Sequence, residues 1–334
     1  MTTAFITGIS GMVGSHMVDY LLRETNWTIY GLIRWRSPLD NLGHLSSQID
    51  SRDRIKLIYG DLLDDQSINN AIQECSPDYV FHLAAQSFPK TSFTAPIHTF
   101  DVNILGTYRL LEALHRYVPN CKVHVCSSSE VFGRVPPELV PIKEMTPFHP
   151  ASPYAISKVG TDLVARFFSE AYEMNVVTTR MFTHTGPRRG DVFAESSFAK
   201  QIAMIENEMI APVIRVGNLD SMRTFADVRD AVRAYHLALV TPDAMGKTFN
   251  IGGTHSCTIG EMLNHLIDLS THRDIHIEID QERLRPIDAD LQIPDTSYFR
   301  SITNWSPQIS FEATMRDLLA YWRERVLSSP TIQR

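Results

Sequence analysis

Side chains suited to oxidising an alcohol are grouped near the middle of the chain. Ser128 and Glu130 follow an apolar stretch, and Tyr154 and Lys158 stand four residues apart, which places them on one face of a helix. A tyrosine has an ordinary pKa of about 10, and an ammonium beside it favours the phenolate. Tyr154 would then take a hydroxyl proton while a hydride leaves the same carbon, with Ser128 hydrogen-bonded to the reacting oxygen. Taken singly, the Tyr154 and Lys158 pair indicates only the start of an amphipathic helix.

Glu130 points to a further step, because the oxidation of an alcohol needs no carboxylate, whereas an elimination does. Once C4 of a sugar is a ketone, its C5 proton becomes acidic, and a carboxylate can remove it and help to expel the C6 hydroxyl as water. A hydride returned to C6 would leave no net redox change. Two alternatives for Glu130 are a charge that faces solvent at a strand end and a purely positional group.

Glycines near the start of the chain indicate where the hydride acceptor binds. Gly8, Gly11 and Gly14 lie between the apolar stretch 4–6 and the helix-spaced apolar residues of 15–22. Gly8 permits a tight turn, Gly11 lets the backbone approach a pyrophosphate, and Gly14 lets strand and helix pack closely. The free N–H groups of the helix start would face the phosphates. The dinucleotide contacts predicted here are Gly8, Ser10, Gly11, Met12, Val13 and Gly14.

The second predicted strand, 28–33, indicates which dinucleotide binds. An Asp or Glu at this strand end holds the ribose 2′-hydroxyl of NAD. This chain has Arg34, Arg36 and Ser37 instead. Because a guanidinium suits a dianionic 2′-phosphate, we predict NADP, with NAD as the less favoured cofactor. The alternative is a pair of solvated surface arginines.

The remaining cofactor contacts follow the next two strands, 55–59 and 79–83. The Asp61 carboxylate can accept a hydrogen bond from the adenine amino group, cap the helix predicted over 65–75, or do both. After the fourth strand, small residues would let the backbone lie against the cofactor, and Lys158 would reach its ribose. The further predicted contacts are Asp61, Leu62, Leu83, Ala84, Ala85, Ser87, Tyr154 and Lys158.

Alternating strands and helices predict an α/β fold, a Rossmann-type doubly wound parallel sheet with a smaller C-terminal substrate lobe. We assign 1–182 to an NADP-binding domain to which 224–252 returns, and 183–223 and 253–334 to the smaller lobe. A long helix is predicted over 94–117, and another runs from the Tyr154 turn to about Tyr172. The apolar stripe predicted for the first is Phe100, Ile104, Leu105, Leu110, Leu111 and Leu114, with Asn103 lying within it.

Bulk properties exclude several classes of protein. The 334 residues carry a net charge of −7, which argues against a nucleic-acid surface. No apolar run approaches the ~18 residues of a membrane span, and the chain opens directly on a strand, so we expect neither a membrane protein nor a signal peptide. The four cysteines are scattered, so we expect no disulfide, no metal site and a cytoplasmic location.

Several stretches together resemble the sugar-nucleotide branch of the extended short-chain dehydrogenase/reductases. Within it the chain is most similar to the GDP-mannose 4,6-dehydratases and the GDP-D-glycero-D-manno-heptose 4,6-dehydratases. The stretches cover nearly the whole chain: Gly8 to Gly14, Gly31 to Arg34, Tyr59 to Leu62, Ala85 to Ser87, Ser127 to Gly133, Ser152 to Ala155, Gly186 to Gly190, Val216 to Asp220, and Arg285 with Pro286.

The resemblance implies roles for individual residues. Ser128 stands where the family has its catalytic threonine and Glu130 where it has its base, and Tyr154 and Lys158 complete the catalytic set. It further implies that His184 and Arg189 reach the cofactor, that arginines neutralise the diphosphate of a GDP-sugar, and that the protein is a homodimer or homotetramer. The implied substrate contacts are Ser87, Ser128, Glu130, Thr183, Lys200, Arg223 and Arg285.

Some positions depart from the mannose enzymes. Thr183 replaces an asparagine, Thr185-Gly186 replaces Glu-Ser, and Trp35 replaces a second arginine in the cofactor loop. The stretches 198–202 and 216–230 are equally similar to GDP-4-keto-6-deoxymannose reductases. A 4-reductase or a related epimerase is therefore the alternative to a 4,6-dehydratase. A non-catalytic cofactor sensor is a third possibility, against which the complete Ser, Tyr and Lys set argues.

Overall fold

The computed structural model describes residues 2–284 and 289–328. The strands are β1 (Thr3–Thr7), β2 (Thr28–Ile33), β3 (Ile55–Tyr59), β4 (Tyr79–His82), β5 (Lys122–Cys126), β6 (Asn175–Met181), β7 (His184–Thr185), β8 (Val213–Val216), β9 (Met222–Asp227), β10 (Thr248–Ile251), β11 (His255–Thr258), β12 (His276–Ile279) and β13 (Leu291–Gln292). The α-helices are α1 (Met12–Glu24), α2 (Ser46–Ser51), α3 (Asp65–Cys75), α4 (Pro89–Thr94), α5 (Pro96–Phe100), α6 (Gly106–Tyr117), α7 (Pro153–Ala171), α8 (Ala194–Glu206), α9 (Val228–Val240), α10 (Ile259–Asp268), α11 (Ser297–Thr303) and α12 (Phe311–Ser328).

A parallel sheet of seven strands organises the larger lobe, in the order β10-β6-β5-β4-β1-β2-β3. The predicted doubly wound sheet is therefore confirmed. At the carboxyl end of β1, Thr7 lies beside Leu32 of β2 and His82 of β4. The strand order reverses between β1 and β4, which is where ligands bind in open sheets of this kind.

Both faces of this sheet are buried, which explains why its strands are short apolar runs. Successive residues of β1 point to opposite sides. Ile6 packs with Phe81 in the core on one face, and Phe5 packs with Val80 in the core on the other. All of these side chains are fully buried.

The smaller lobe is built around β9, which pairs with β7, β11 and β13, while β8 pairs with β12. Helices α8, α10 and α12 supply its separate apolar core. Two placements differ from the predicted boundaries. Residues 224–227 belong to β9 of the smaller sheet, and Phe299 and Trp305 pack in the core of the larger lobe. The division at 182, 223 and 252 stays a proposal.

The single helix predicted over 94–117 is wrong. Thr94 ends α4, Pro96 starts α5, and a π-helical turn, Asp101–Leu105, joins α5 to α6. Pro96 has no N–H with which to continue a preceding helix. The wider turn also changes the helical phase, so Leu105 of the predicted stripe is 50% exposed whereas Leu110, Leu111 and Leu114 are fully buried.

A buried ion pair fastens α7 to β6. Arg180 donates to both carboxylate oxygens of Asp162, at 2.7 and 2.9 Å, and to the carbonyl of Glu144 at 2.6 Å. Both side chains are nearly inaccessible to solvent. Since α7 carries Tyr154 and Lys158, this pair helps to position the predicted catalytic residues.

Removing one partner should be costly, because the other charge is then left buried. We expect Asp162→Ala to lower the free energy of unfolding by about 3–5 kcal/mol in urea denaturation. Glu170→Ala is the matched control on the same helix, since its pairing with Arg166 is exposed and should contribute no more than about 1 kcal/mol. Equal stabilities of the two variants would show that the buried pair does not hold the helix.

Candidate active site

The glycine turn after β1 has the shape that the sequence predicts. Gly8 has a φ of +74°, and a Cβ there would lie 2.8 Å from the Ala84 nitrogen. A Cβ on Gly14 would lie 2.2 Å from the Gly8 carbonyl oxygen, so helix and strand approach closely. Gly11 is exposed, and a Cβ there would meet only that same oxygen, at 3.3 Å. No side chain caps α1. The turn thus fits a pyrophosphate against Gly11 and the helix start.

The predicted 2′-phosphate site lies at the end of β2. Arg34 and Arg36 are exposed, and neither forms an ion pair within residues 2–284 and 289–328. The Ser37 hydroxyl accepts from the Arg34 N–H, and the Ser37 N–H donates to the Arg34 carbonyl, both at 3.0 Å. Ser37 therefore fixes the turn that presents both guanidinium groups.

Asp61 does not cap α3. The cap is Asp64, whose carboxylate accepts from the Ser67 N–H at 2.7 Å. Asp61 accepts from the Leu63 N–H at 3.1 Å and remains half-buried beside the buried Leu62. The capping alternative for Asp61 is therefore wrong, and its second carboxylate oxygen remains suited to an adenine amino group.

The loop after β4 is held by two buried polar side chains. Thr7 accepts from the N–H groups of Leu83 and Ala84, both at 3.2 Å. Asn103, in the π-helical turn, accepts from the Gln86 N–H at 2.8 Å and donates to the Gln86 carbonyl at 3.0 Å. This clamp was missed as a functional feature. A lone asparagine among the apolar residues of 94–117 was the available signal, because a buried amide must find partners.

Three of the predicted catalytic residues surround the end of β5. Ser128 is buried, and its hydroxyl accepts from the Glu130 N–H at 3.2 Å. Lys158 donates to the carbonyl of Cys126, the last residue of β5, at 2.7 Å. Glu130 is half-buried in the turn that Ser128 begins.

Tyr154 completes this group from the first turn of α7. Ser152 caps that helix by accepting from the Ala155 N–H at 3.0 Å, and the Tyr154 N–H donates to the Ser92 hydroxyl at 3.0 Å. The phenol is within hydrogen-bonding reach of Ser128, and the charges of Glu130 and Arg189 shift its pKa in opposite directions. The predicted catalytic side chains are therefore brought together.

The expectation that Lys158 keeps Tyr154 as a phenolate is wrong for the protein on its own. Burial raises the pKa of Tyr154, and the charge of Glu130 raises it further, while Ser128 and Arg189 only partly oppose this. The Lys158 ammonium points to the Cys126 carbonyl, and burial lowers its own pKa. Tyr154 is therefore a neutral phenol at pH 7.

The two residues implied in cofactor contact follow β6 in the chain: His184 begins β7, and Arg189 lies on the loop after it. His184 Nδ1 lies 3.3 Å from the Phe182 carbonyl oxygen, and burial lowers the pKa of His184 to about 3, so the imidazole is neutral. Arg189 pairs with the buried Glu195 at 3.2 Å and lies 3.5 Å from the ring centroid of Phe193. Sequence reasoning missed Glu195, which carries no motif of its own.

The implied substrate contacts are more dispersed. Lys200 of α8 forms an ion pair with Asp191, which precedes that helix, at 2.7 Å. Ser87 is exposed in the loop after β4. The Thr183 carbonyl accepts from the Ala226 N–H at 2.9 Å, and Arg223 is half-buried in β9. Arg285 lies outside the described residues.

In the part of the chain that the structure describes, His, Cys, Asp and Glu side chains form no group of three suited to a metal ion. No helix within the same residues combines the length and the apolar character needed to span a membrane. Cys75, Cys121, Cys126 and Cys257 are all free thiols.

Comparison with known proteins gives a consistent result. The family model described as GDP-mannose 4,6 dehydratase matches residues 5–318. GDP-mannose 4,6 dehydratase 1 of Arabidopsis thaliana is 33% identical, with 97% of this chain and 92% of the relative covered. GDP-6-deoxy-D-mannose reductase of Pseudomonas aeruginosa is 30% identical, with 96% and 97% covered.

Among solved structures, RMD from Pseudomonas aeruginosa complexed with NADPH has a TM-score of 0.82 and 28% identity, with 97% of this chain and 100% of that chain covered. The likeness therefore extends over both lobes as well as over the sequence. A family match across nearly the whole chain, together with relatives of similar length, makes this protein an enzyme of the GDP-mannose 4,6-dehydratase family.

Proposed function

We propose that the protein catalyses the NADP-dependent 4,6-dehydration of a GDP-sugar, either GDP-mannose or GDP-manno-heptose, to the 4-keto-6-deoxy sugar nucleotide. The observation that carries this proposal is the position of Glu130. Glu130 is half-buried and forms no ion pair within the described ranges, and its charge raises the pKa of the Tyr154 phenol. Oxidation of an alcohol alone needs no carboxylate base at that place, whereas elimination of water does.

Several residues of this chain fit NADP. The turn at Gly8, Gly11 and Gly14 suits the pyrophosphate, and Arg34 and Arg36 suit the 2′-phosphate, because exposed guanidinium groups without carboxylate partners attract a dianion. When bound, the nicotinamide supplies a hydride acceptor that later returns the hydride, so that the same cofactor molecule serves successive turnovers.

Tyr154 and Ser128 handle the proton of the C4 hydroxyl. Ser128 orients the oxygen by a hydrogen bond, and Tyr154 exchanges a proton with it. Because burial raises the pKa of Tyr154, the phenol must meet added positive charge before it can act as a base. Arg189 is a cation that acts on the phenol, and Lys158 lies one turn further along α7.

Glu130 then acts at the neighbouring carbons. With C4 a ketone, the C5 proton becomes acidic, and the Glu130 carboxylate takes that proton. The protonated carboxyl group can give the proton to the departing C6 hydroxyl, which leaves as water. The electron pair of the C5–H bond becomes the C5–C6 double bond, so the step balances without an external reagent.

The substrate diphosphate needs cationic partners, and we assign Arg223 and Arg285 to it, with Thr183, Lys200 and Ser87 near the sugar. Of these, Arg223 lies on β9 of the smaller lobe. Mannose and heptose differ in one carbon unit at C6, a difference that a pocket distinguishes by only about 1–3 kcal/mol. Both sugars are therefore retained as candidate substrates.

The direct test is incubation of the purified protein with GDP-mannose and with GDP-manno-heptose, followed by mass spectrometry of the sugar nucleotide. We expect one of them to lose the mass of one water while the nicotinamide absorbance stays constant. A 4-reductase is the second candidate, favoured by the 30% identity to a GDP-6-deoxy-D-mannose reductase. A 4-reductase would leave both of these sugars unchanged, and would consume NADPH in an amount equal to its product only when given a GDP-4-keto-6-deoxy sugar.

We also propose a homodimer or homotetramer in the cytoplasm. Exposed apolar side chains are concentrated on the adjoining helices α5, α6 and α7 and on the turn between them. They are Ile97, Leu105, Tyr108, Ile156, Leu163 and Phe167, each at least 39% exposed. Exposed apolar side chains gathered on adjoining helices are typical of a protein interface.

A charge on this face should separate the subunits. We expect Phe167→Glu to halve the mass measured by light scattering, to that of one chain if the wild type is a homodimer, or to that of a pair of chains if it is a homotetramer. Leu327→Glu is the matched control, since Leu327 is 67% exposed on α12, away from this face. An unchanged mass for Phe167→Glu would contradict the proposed interface.

A further inference from the structure

Trp35 is unusual among the tryptophans of this protein. Its side chain is 80% exposed, whereas Trp305 and Trp322 are buried, at 1% and 8% exposed. Trp27 is half-buried and stacks on Tyr79, with ring centroids 4.3 Å apart. Such a large exposed indole is costly in water unless something covers it.

A second exposed aromatic ring lies beside Trp35. Tyr59, the last residue of β3, is 60% exposed, and its ring centroid is 5.5 Å from that of Trp35. The register of β2 and β3 causes this proximity, since Ile33 and Tyr59 are paired at the ends of the two strands. The two rings thus form an apolar wall at the carboxyl edge of the sheet.

The position of this wall along the sheet indicates its ligand. The pyrophosphate turn follows β1, the two arginines follow β2, and the wall lies between the ends of β2 and β3. A dinucleotide that runs outward from β1 brings its 2′-phosphate to β2 and its adenine towards β3. Asp61, at the end of β3, has an oxygen suited to the adenine amino group.

We propose that Trp35, backed by Tyr59, is the stacking surface for the adenine ring of NADP. This inference rests on the proposed cofactor and adds a residue to its site. A base stacks on an aromatic ring whatever its hydrogen-bonding edge, and the free face of the indole is flat and accessible. The adjacent positive charges complement the phosphate carried by the same nucleotide.

The flanking charges disfavour a second copy of the chain as the partner of Trp35. Arg34 and Arg36 flank Trp35 in the sequence, are exposed, and form no ion pair in the described ranges. A two-fold contact through Trp35 would bring the arginines of both copies together, with like charges facing each other. An anionic nucleotide would instead meet the two arginines with opposite charge.

The test compares Trp35→Ala and Trp35→Phe in the full-length protein, with adenosine 2′,5′-bisphosphate, NADP and NAD titrated by calorimetry. We expect the alanine variant to bind each ligand about tenfold more weakly and the phenylalanine variant to stay within about threefold of wild type. The ratio of NADP to NAD affinity should not change, because both contain adenine. Arg34→Ala should instead lower that ratio.

Tryptophan fluorescence provides a second readout that needs no turnover. Adenosine 2′,5′-bisphosphate should shield wild-type emission from acrylamide, and Trp35→Phe should lack the shielded component. Unaltered nucleotide affinity in Trp35→Ala would overturn the inference. If the same variant also had a smaller mass in light scattering, Trp35 would instead contact a second copy of the chain. If wild type binds none of the nucleotides, the cofactor proposal itself fails, which is a separate outcome.

Discussion

The Glu130→Gln variant is expected to form the dehydrated product about 10²–10⁴ times more slowly than wild type, because glutamine cannot accept the C5 proton. Its amide has the same shape as the carboxyl group, so the turn begun by Ser128 should keep its hydrogen bond to the backbone of residue 130. Cofactor binding should be unchanged, since Glu130 is assigned to the sugar.

A single turnover separates the two steps in this variant. Oxidation at C4 does not require Glu130, so the absorbance of reduced nicotinamide should appear and persist when substrate is added. Glu138→Gln is the control, because Glu138 is an exposed carboxylate in the loop that follows the same strand. Full turnover by Glu130→Gln would remove this residue from the mechanism and favour its reading as a positional group.

The Tyr154→Phe variant should lose at least about 10²–10⁴-fold in turnover, for a different reason. Without the phenolic oxygen, no group of the chain exchanges a proton with the C4 hydroxyl, so the first oxidation itself should stop. No reduced nicotinamide should accumulate in a single turnover, in contrast to Glu130→Gln. Phenylalanine fills the same buried space, and the cap at Ser152 does not involve the hydroxyl.

Tyr172→Phe serves as the matched control, since Tyr172 is 43% exposed just beyond the end of the same helix. It should retain wild-type turnover and stability. If Tyr154→Phe still oxidised C4 at the wild-type rate, the proton would have to leave by another route, and the assignment of Tyr154 would be wrong.

The main sheet could be predicted from sequence because its strands are short apolar runs buried on both faces. The stretch 4–6 is an example, since all three of its side chains are fully buried. The glycine turn was equally predictable, because its spacing follows from the backbone geometry required between a strand and a helix. Gly8 has the positive φ that such a turn requires.

Other features depend on contacts that no local pattern contains. The phase of the helix over 106–117 is set by a π-helical turn in which Asn103 bonds to Gln86. Asp61 and Asp64 are alike in sequence, and only the start of α3 decides which of them caps it. The pKa of Tyr154 depends on burial by distant segments, which is why the sequence suggested a phenolate and the structure a neutral phenol.

The central claim is that this group of residues, with bound NADP, directs the oxidation of C4, the loss of water and the return of the same hydrogen to C6. The most direct measurement uses GDP-mannose, or the heptose analogue if that is the substrate, with deuterium at C4. The account predicts a dehydrated product that carries the deuterium at C6, with none released into free cofactor. A product without deuterium, or a deuterium label found in released nicotinamide, would contradict it.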